Sequence, residues 1–190
     1  MADQAGISRT DALHLLKEYV KNDKMIAHSL ASEVVMKAVA GKLNEDLELW
    51  GIAGLLHDLD VEITEADPKT HGLKSVEILQ EKGVHPEIVD AIKMHNEEAT
   101  GMDRNTKFQH ALACSETITG LVFATALVYP DKKLKSVKPK SIVKRMKEKK
   151  FAASVKRENI LECEKIGIPM NEFAALSLSA MCEIDTELGF

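Results

Sequence analysis

Leu47-Glu48-Leu49-Trp50-Gly51-Ile52-Ala53-Gly54-Leu55-Leu56-His57-Asp58 is the stretch on which the reading of this 190-residue chain turns. The first ten residues read as an apolar helical run, and the run stops at an imidazole and a carboxylate. Neighbouring positions on a helix diverge by about 100°, so these two side chains can share one ion only if it sits between their directions. Taken alone, the pair also fits a polar surface step at a helix end. Its company along the chain changes that. His28 lies in a second helical stripe, Met25-Ile26-Ala27-His28-Ser29-Leu30-Ala31, and Glu116 lies in the long apolar stretch Ala113-Cys114-Ser115-Glu116-Thr117-Ile118-Thr119-Gly120. Two imidazoles and two carboxylates on three separate helices form a mixed nitrogen and oxygen set. Such a set suits a divalent ion of the first transition row, or magnesium.

Composition narrows the fold. Aromatic residues make up only 4% of the chain while Leu, Ala, Ile, Val and Met abound, which favours a helical core over a β-sandwich. No run of about 18 uncharged apolar residues is present, so no membrane span is expected. Met1-Ala2-Asp3-Gln4 lacks the basic and apolar regions of a secretory signal. Cys114, Cys163 and Cys182 are odd in number, widely spaced and without a CxxC motif, which predicts buried thiols in a reducing cytoplasm.

Helical periodicity runs through the whole chain. Ser8, with Asp11 three residues on, opens a first helix whose face carries Ala12, Leu15, Leu16 and Val20. A second is expected from Asn22-Asp23 to about Gly41, and a third from Asn44 or Glu45 to the His-Asp pair. An acidic loop, Asp60 to Thr70, should then cross the surface near the site. A fourth helix is predicted from His71 to Gln80, and a fifth from Pro86 through His95. The sixth and longest should span Thr106 to Val128. Beyond Pro130 the pattern predicts a short basic helix, a turn around Phe151, a helix over about 157–166 and a last one over about 171–188. Residues 1–130 thus read as a helical core and 131–190 as a helical extension packed on it.

Charge divides the same way. Between Asp131 and Arg157 there are twelve Lys or Arg against two acids, a local +10, although the whole chain carries −5. Lys140, Lys144 and Lys147 fall at i, i+4 and i+7, on one helical face, with Val143 and Met146 beside them. A solvated face explains such a run, and so does a surface that attracts anions. The acidic remainder argues against a dedicated nucleic-acid binder.

The order His28, His57-Asp58, then a carboxylate within an Ala-rich helix resembles the HD-domain superfamily of metal-dependent phosphohydrolases. The resemblance covers roughly residues 20–185. It also rests on Leu55-Leu56-His57-Asp58-Leu59-Asp60, His71-Gly72 followed by Ser75-Val76-Glu77-Ile78-Leu79, Ala91-Ile92 leading to His95-Asn96, and Thr119-Gly120-Leu121-Val122. It implies an all-α, single-domain enzyme of the phosphatase or phosphodiesterase type. One or two divalent ions (Mn, Mg, Fe, Co, Ni or Zn) would be held by His28, His57, Asp58 and Glu116. The family's last ligand is usually Asp, so Glu116 shifts the carboxylate by one methylene. Asp58, His71 and His95 are the implied catalytic residues, the two histidines serving a second ion or the phosphate. Lys144, Lys147 and Arg157 are expected to bind substrate, and Asp60 and Glu62 to support the ligands. The expected partner is a small phosphorylated molecule, a nucleotide being the leading class, and a homodimer is compatible with the sequence. A cyclic or oligonucleotide phosphodiesterase and a non-catalytic nucleotide-binding module are the competing readings. His14, His85 and His110 are read as structural.

Overall fold

In the computed structural model, which describes residues 4–190, ten α-helices account for the architecture and no β-strand occurs among the described residues. The signal-peptide reading of Met1–Gln4 falls mostly on residues outside that range. The first five helices are α1 (Arg9–Tyr19), α2 (Asp23–Leu43), α3 (Leu47–Leu56), α4 (Leu73–Glu81) and α5 (Pro86–His95). They are followed by α6 (Glu97–Thr100), α7 (Lys107–Leu127), α8 (Pro139–Met146), α9 (Arg157–Leu161) and α10 (Met170–Glu183).

Local chemistry sets the boundaries. Ser8 caps α1 by accepting from the Asp11 backbone N–H at 3.1 Å. Asn44, expected to open the third helix, instead closes the second in a left-handed conformation, with φ of 57°. Asp46 takes over as the N-cap of α3, accepting from Leu49 N–H at 2.8 Å. Thr106 and Gln109 form a reciprocal capping box at the start of α7. The helix predicted over 157–166 is α-helical only to Leu161 and continues as a 3-10 turn over Glu162–Glu164, and the last helix stops at Glu183.

α3 is the central rod: every residue from Leu49 to Leu56 is buried, on all faces. α2 lies against it at close range. A Cβ on Gly54 would stand 2.6 Å from the Ser32 carbonyl oxygen, so the two backbones approach here only because position 54 has no side chain. That contact positions the site. His28 sits one turn before Ser32 on the same face of α2, and His57 follows Gly54 by three residues. α7 crosses α2, α5 and α9, while α10 packs on α2 and α8. Among the described residues α7 alone is long and apolar enough to cross a membrane, despite Glu116 within it. Yet 67% of its most apolar window is buried inside the protein, as expected of a core helix.

Candidate metal centre

Four imidazoles and one carboxylate meet where α2, the end of α3, the loop before α4 and the end of α5 converge. His57 and Asp58 lie just past the last turn of α3, which lets both turn inward. Asp58 Oδ1 lies 3.2 Å from His57 Nε2, 3.0 Å from His71 Nε2 and 3.6 Å from His95 Nε2, and Oδ2 lies 3.5 Å from His28 Nε2. The imidazoles also face each other in pairs: His28 Nε2 to His57 Nε2 at 3.1 Å, and His71 Nε2 to His95 Nε2 at 3.2 Å.

The other nitrogen of each ring is engaged outward. His57 Nδ1 donates to the Gly54 carbonyl at 2.8 Å and His95 Nδ1 to the Ile92 carbonyl at 2.6 Å. Thr119 spends its one hydroxyl hydrogen on the Glu116 carbonyl, so at 2.8 Å it accepts from His28 Nδ1. His71 Nδ1 stands 2.9 Å from Asp60 Oδ1. With Nδ1 donating outward in His28, His57 and His95, these rings aim Nε2 lone pairs at one small space that His71 Nε2 also faces. Two bare nitrogens about 3 Å apart repel unless a cation lies with them, and outward Nδ1–H bonds of this kind are how proteins orient metal-binding histidines. The donor set therefore fits divalent ions. Two groups have mutually close ligand atoms: His28, His57 and Asp58, and then Asp58, His71 and His95.

In the absence of an ion, protons share this space. Burial drives His57 down to about 3 against the pull of Asp58, so it is neutral. Burial acts to raise Asp58, but His57, His71 and His95 outweigh it and hold the carboxyl well below its usual range. His71, although burial opposes its charge, is lifted to about 10 by Asp58 and Asp60. It is an imidazolium between two carboxylates, and an ion held at its Nε2 would stand in place of that proton.

Asp60 does more than support His71. It is fully buried, and its Oδ2 accepts the backbone N–H groups of Gly72, Lys74 and Ser75 at 2.8, 3.0 and 3.1 Å, satisfying the start of α4 from across the loop. Glu62, read as its companion, faces elsewhere and accepts from the Lys21 and Asn22 backbone N–H groups. Glu116 reaches the rim: its Oε2 is 3.9 Å from His28 Nε2, Thr117 donates to its other oxygen, and it stands outside both close groups. Burial pushes its carboxyl up.

The centre opens into a cavity of about 310 Å³ whose walls add Asn96, Thr117, Ser154, Val155, Lys156 and Asn159 to His28, Asp58, His71, His95 and Glu116. Two expectations about this wall are corrected. Lys144 and Lys147 do not border the cavity; they line a second concavity on α8, because the face that α8 buries is that of Ile142. Arg157, expected to contact phosphate, does not line the cavity either. Its guanidinium donates to the backbone carbonyls of Glu148, Phe151, Ala152 and Val155, fastening the loop that carries Ser154 and Val155 to the cavity. Lys156 is the cation of the wall, with Nζ 2.6 Å from Glu98 and 3.2 Å from Glu97.

Arg104 escaped the sequence reading. Its side chain is 5% exposed, and it bonds Glu162 in a fork at 2.9 and 2.9 Å, Glu97 at 2.9 Å, the His95 carbonyl at 3.2 Å and Asn159 at 3.0 Å. It ties the His95 end of the centre to the Asn159 wall. Nothing in the spacing around Arg104 marks it. Asn96, adjacent to His95, donates to the Pro68 and His71 carbonyls at 2.8 and 2.9 Å and holds the acidic loop against α5. His110 pairs with Glu162 at 2.7 Å and His85 caps α5, both structural as read.

Comparison with known proteins agrees with this geometry. The family model described as HD domain matches residues 25–154, more than half of the chain. The chain belongs to the HD-domain family. The match runs past Pro130 and ends at Ser154, the first wall residue of the loop before α9. The chain is also 30% identical over 83 residues to a tRNA (cytidine(56)-2'-O)-methyltransferase of Thermoplasma volcanium, covering 44% of this chain and 24% of that protein. This chain thus spans about a quarter of the length of that curated relative. No solved structure matches.

Proposed function

We propose that the protein is a metal-dependent phosphohydrolase acting on a phosphate ester or anhydride of a small metabolite, a nucleotide being the class that suits it best. The observation that carries this reading is the convergence of four imidazoles, three of them anchored outward through Nδ1, on the Asp58 carboxylate. His28, His57 and Asp58 would hold one divalent ion, with Glu116 close enough to join them. Asp58, His71 and His95 would hold a second. When bound, such an ion (Mn, Mg, Fe, Co, Ni or Zn) supplies Lewis acidity, polarising a phosphoryl oxygen and making water more acidic.

The chain's own groups do the rest. Asp58 sits between the two halves of the centre and balances their charge. Where only the first ion is held, His71 would keep its Nε2 proton against Asp58, and Asp60 stands beside its other ring nitrogen. Lys156 offers an ammonium to the substrate's charge, and the Asn96 and Asn159 amides offer polar walls. A cavity of about 310 Å³ suits a mononucleotide-sized molecule better than a polymer. The close Asp58–His71–His95 group keeps a cyclic-nucleotide or oligonucleotide phosphodiesterase as the second reading. The relative named for tRNA methylation is in keeping with nucleotide chemistry; its methyl transfer is not carried over. The same proposal places the protein in the cytoplasm, a reading that the three free cysteines support.

Metal analysis of the purified protein, with a screen of phosphorylated metabolites against several divalent ions, tests the reading. Asp58→Ala is expected to lose both bound metal and hydrolysis while its helical circular dichroism persists. Hydrolysis that survives in Asp58→Ala would place the chemistry elsewhere.

A further inference from the structure

The basic residues that the metal cavity leaves unused surround a place of their own. Lys140, Lys144 and Lys147, with Pro139, Val143 and Asn171, line a concavity of about 570 Å³ between α8 and the start of α10. It is larger than the metal cavity and shares no lining residue with it. α8 buries Ile142 on the core and turns the lysines outward. No carboxylate lines the concavity. Among the described residues Lys140 and Lys147 have no acidic partner, and the one carboxylate near Lys144 is Glu148, at 4.0 Å and already engaged by Arg145. Lys37, Lys42, Lys74, Lys107 and Lys156 each lie within 3.2 Å of a carboxylate, whereas lysines such as Lys17, Lys24 and Lys82 are unpaired one at a time among the described residues; what distinguishes Lys140, Lys144 and Lys147 is that they share one concavity.

Three ammonium groups around one depression repel each other, and an anion is what relieves them. From position 140 to position 147 the row runs about 10 Å along the helix, at about 1.5 Å per residue. A short chain of linked phosphates matches that length and can meet the three ammonium groups without drawing them together. Val143 and Pro139 supply an apolar floor for whatever the phosphates carry.

We propose that this concavity binds a small ligand with linked phosphates, either a nucleoside di- or triphosphate or free inorganic polyphosphate, at a site separate from the metal centre. The proposal does not depend on the hydrolase reading. Calorimetric titration of the whole protein in EDTA with ATP, tripolyphosphate and orthophosphate at 150 mM salt tests it. Saturable binding of ATP and tripolyphosphate is expected, at least tenfold tighter than orthophosphate. Lys144→Gln/Lys147→Gln should weaken both by tenfold or more, and Asp58→Ala should leave both unchanged. ATP tighter than tripolyphosphate identifies the nucleotide as ligand, and equal affinities identify the phosphate chain alone. These lysines are exposed, so their variants keep the fold. The proposal is overturned by absence of saturable binding, by unaltered affinity in the double variant, or by a single-stranded RNA oligomer binding more tightly than either polyphosphate.

Discussion

Gly72 shows how tightly single positions are specified around the centre. It holds φ at 93°, a left-handed conformation, and a Cβ there would stand 3.0 Å from His95 Cε1. One missing side chain thus lets the loop turn into α4 and lets His95 approach His71. The dipeptide His71-Gly72 is visible in the sequence, but the reason for its glycine is not, since it depends on a helix end 23 positions away. Gly72→Ala combines left-handed strain of about 1–2 kcal/mol with displacement of a candidate ligand. We expect Tm to fall by about 2–8 °C and affinity for divalent ions to drop. Thermal melts and a metal titration of the variant measure both, and a variant matching the wild type in each would show that the loop tolerates the added methyl. His71, His95 and Asp58 were legible as candidates from the sequence. Arg157 was legible only as a cation, and its capture by four carbonyls required the folded loop.

At the scale of elements, the centre is built by the α2–α3 contact. Most helix spans follow from periodicity, caps and Pro positions, because those signals are local. Helix pairing is not local. The 2.6 Å approach that a Gly54 Cβ would make to the Ser32 carbonyl identifies Gly54 as the hinge of that pairing. Alanine is the better helix former, by up to about 1 kcal/mol, so propensity alone predicts a stabilised Gly54→Ala. Overpacking against backbone costs about 1–3 kcal/mol or more, and here it prevails, because a carbonyl cannot swing aside as a side chain can. Gly54→Ala is expected to lower the denaturant midpoint and to separate His28 from His57, weakening metal binding. A raised midpoint in urea would contradict this account. α9 is the complementary case. Its early end and the 3-10 turn after it are not foreseeable from pattern, since Glu162 there serves Arg104 and His110 from other elements.

Across the whole molecule, the buried titratable groups make stability depend on pH in two directions. His57 has a folded value of about 3, below the ordinary 6.5, so the unfolded chain takes up its proton first and stability falls as pH drops from 6.5 towards 3. Glu97 adds to the loss further down: Arg104 and Lys156 outweigh burial and hold it at about 2, so its contribution disappears between 4.5 and 2. His71 has the opposite sign. Its folded value of about 10 lies above 6.5, so its contribution is complete below 6.5 and is lost as pH rises to 10. The two buried histidines each contribute a slope of at most about 1.4 kcal/mol per pH unit within their windows, and the partly exposed Glu97, screened by solvent, contributes less. The metal-free protein is therefore expected to be most stable near pH 6.5. Divalent ions should flatten the alkaline limb, because a bound ion needs His71 without its proton. Melts in EDTA and with manganese across pH 4–10 test this, and a metal-free optimum at pH 9 would contradict it.

The all-α class, nearly every helix and the candidacy of His28, His57, Asp58, His71 and His95 are legible in the chain alone. Those features are written in local periodicity, in caps and in an ordered set of side chains whose chemistry is unusual on apolar helices. Only the tertiary structure decided how they group: Asp58 shared between two clusters, Glu116 at the rim, Asp60 inside, Arg104 behind. It also moved Lys144 and Lys147 to a different concavity and turned Arg157 inward. The physical reason is that a sequence records what each side chain is, whereas a binding site depends on which backbones come close enough to bring distant side chains together.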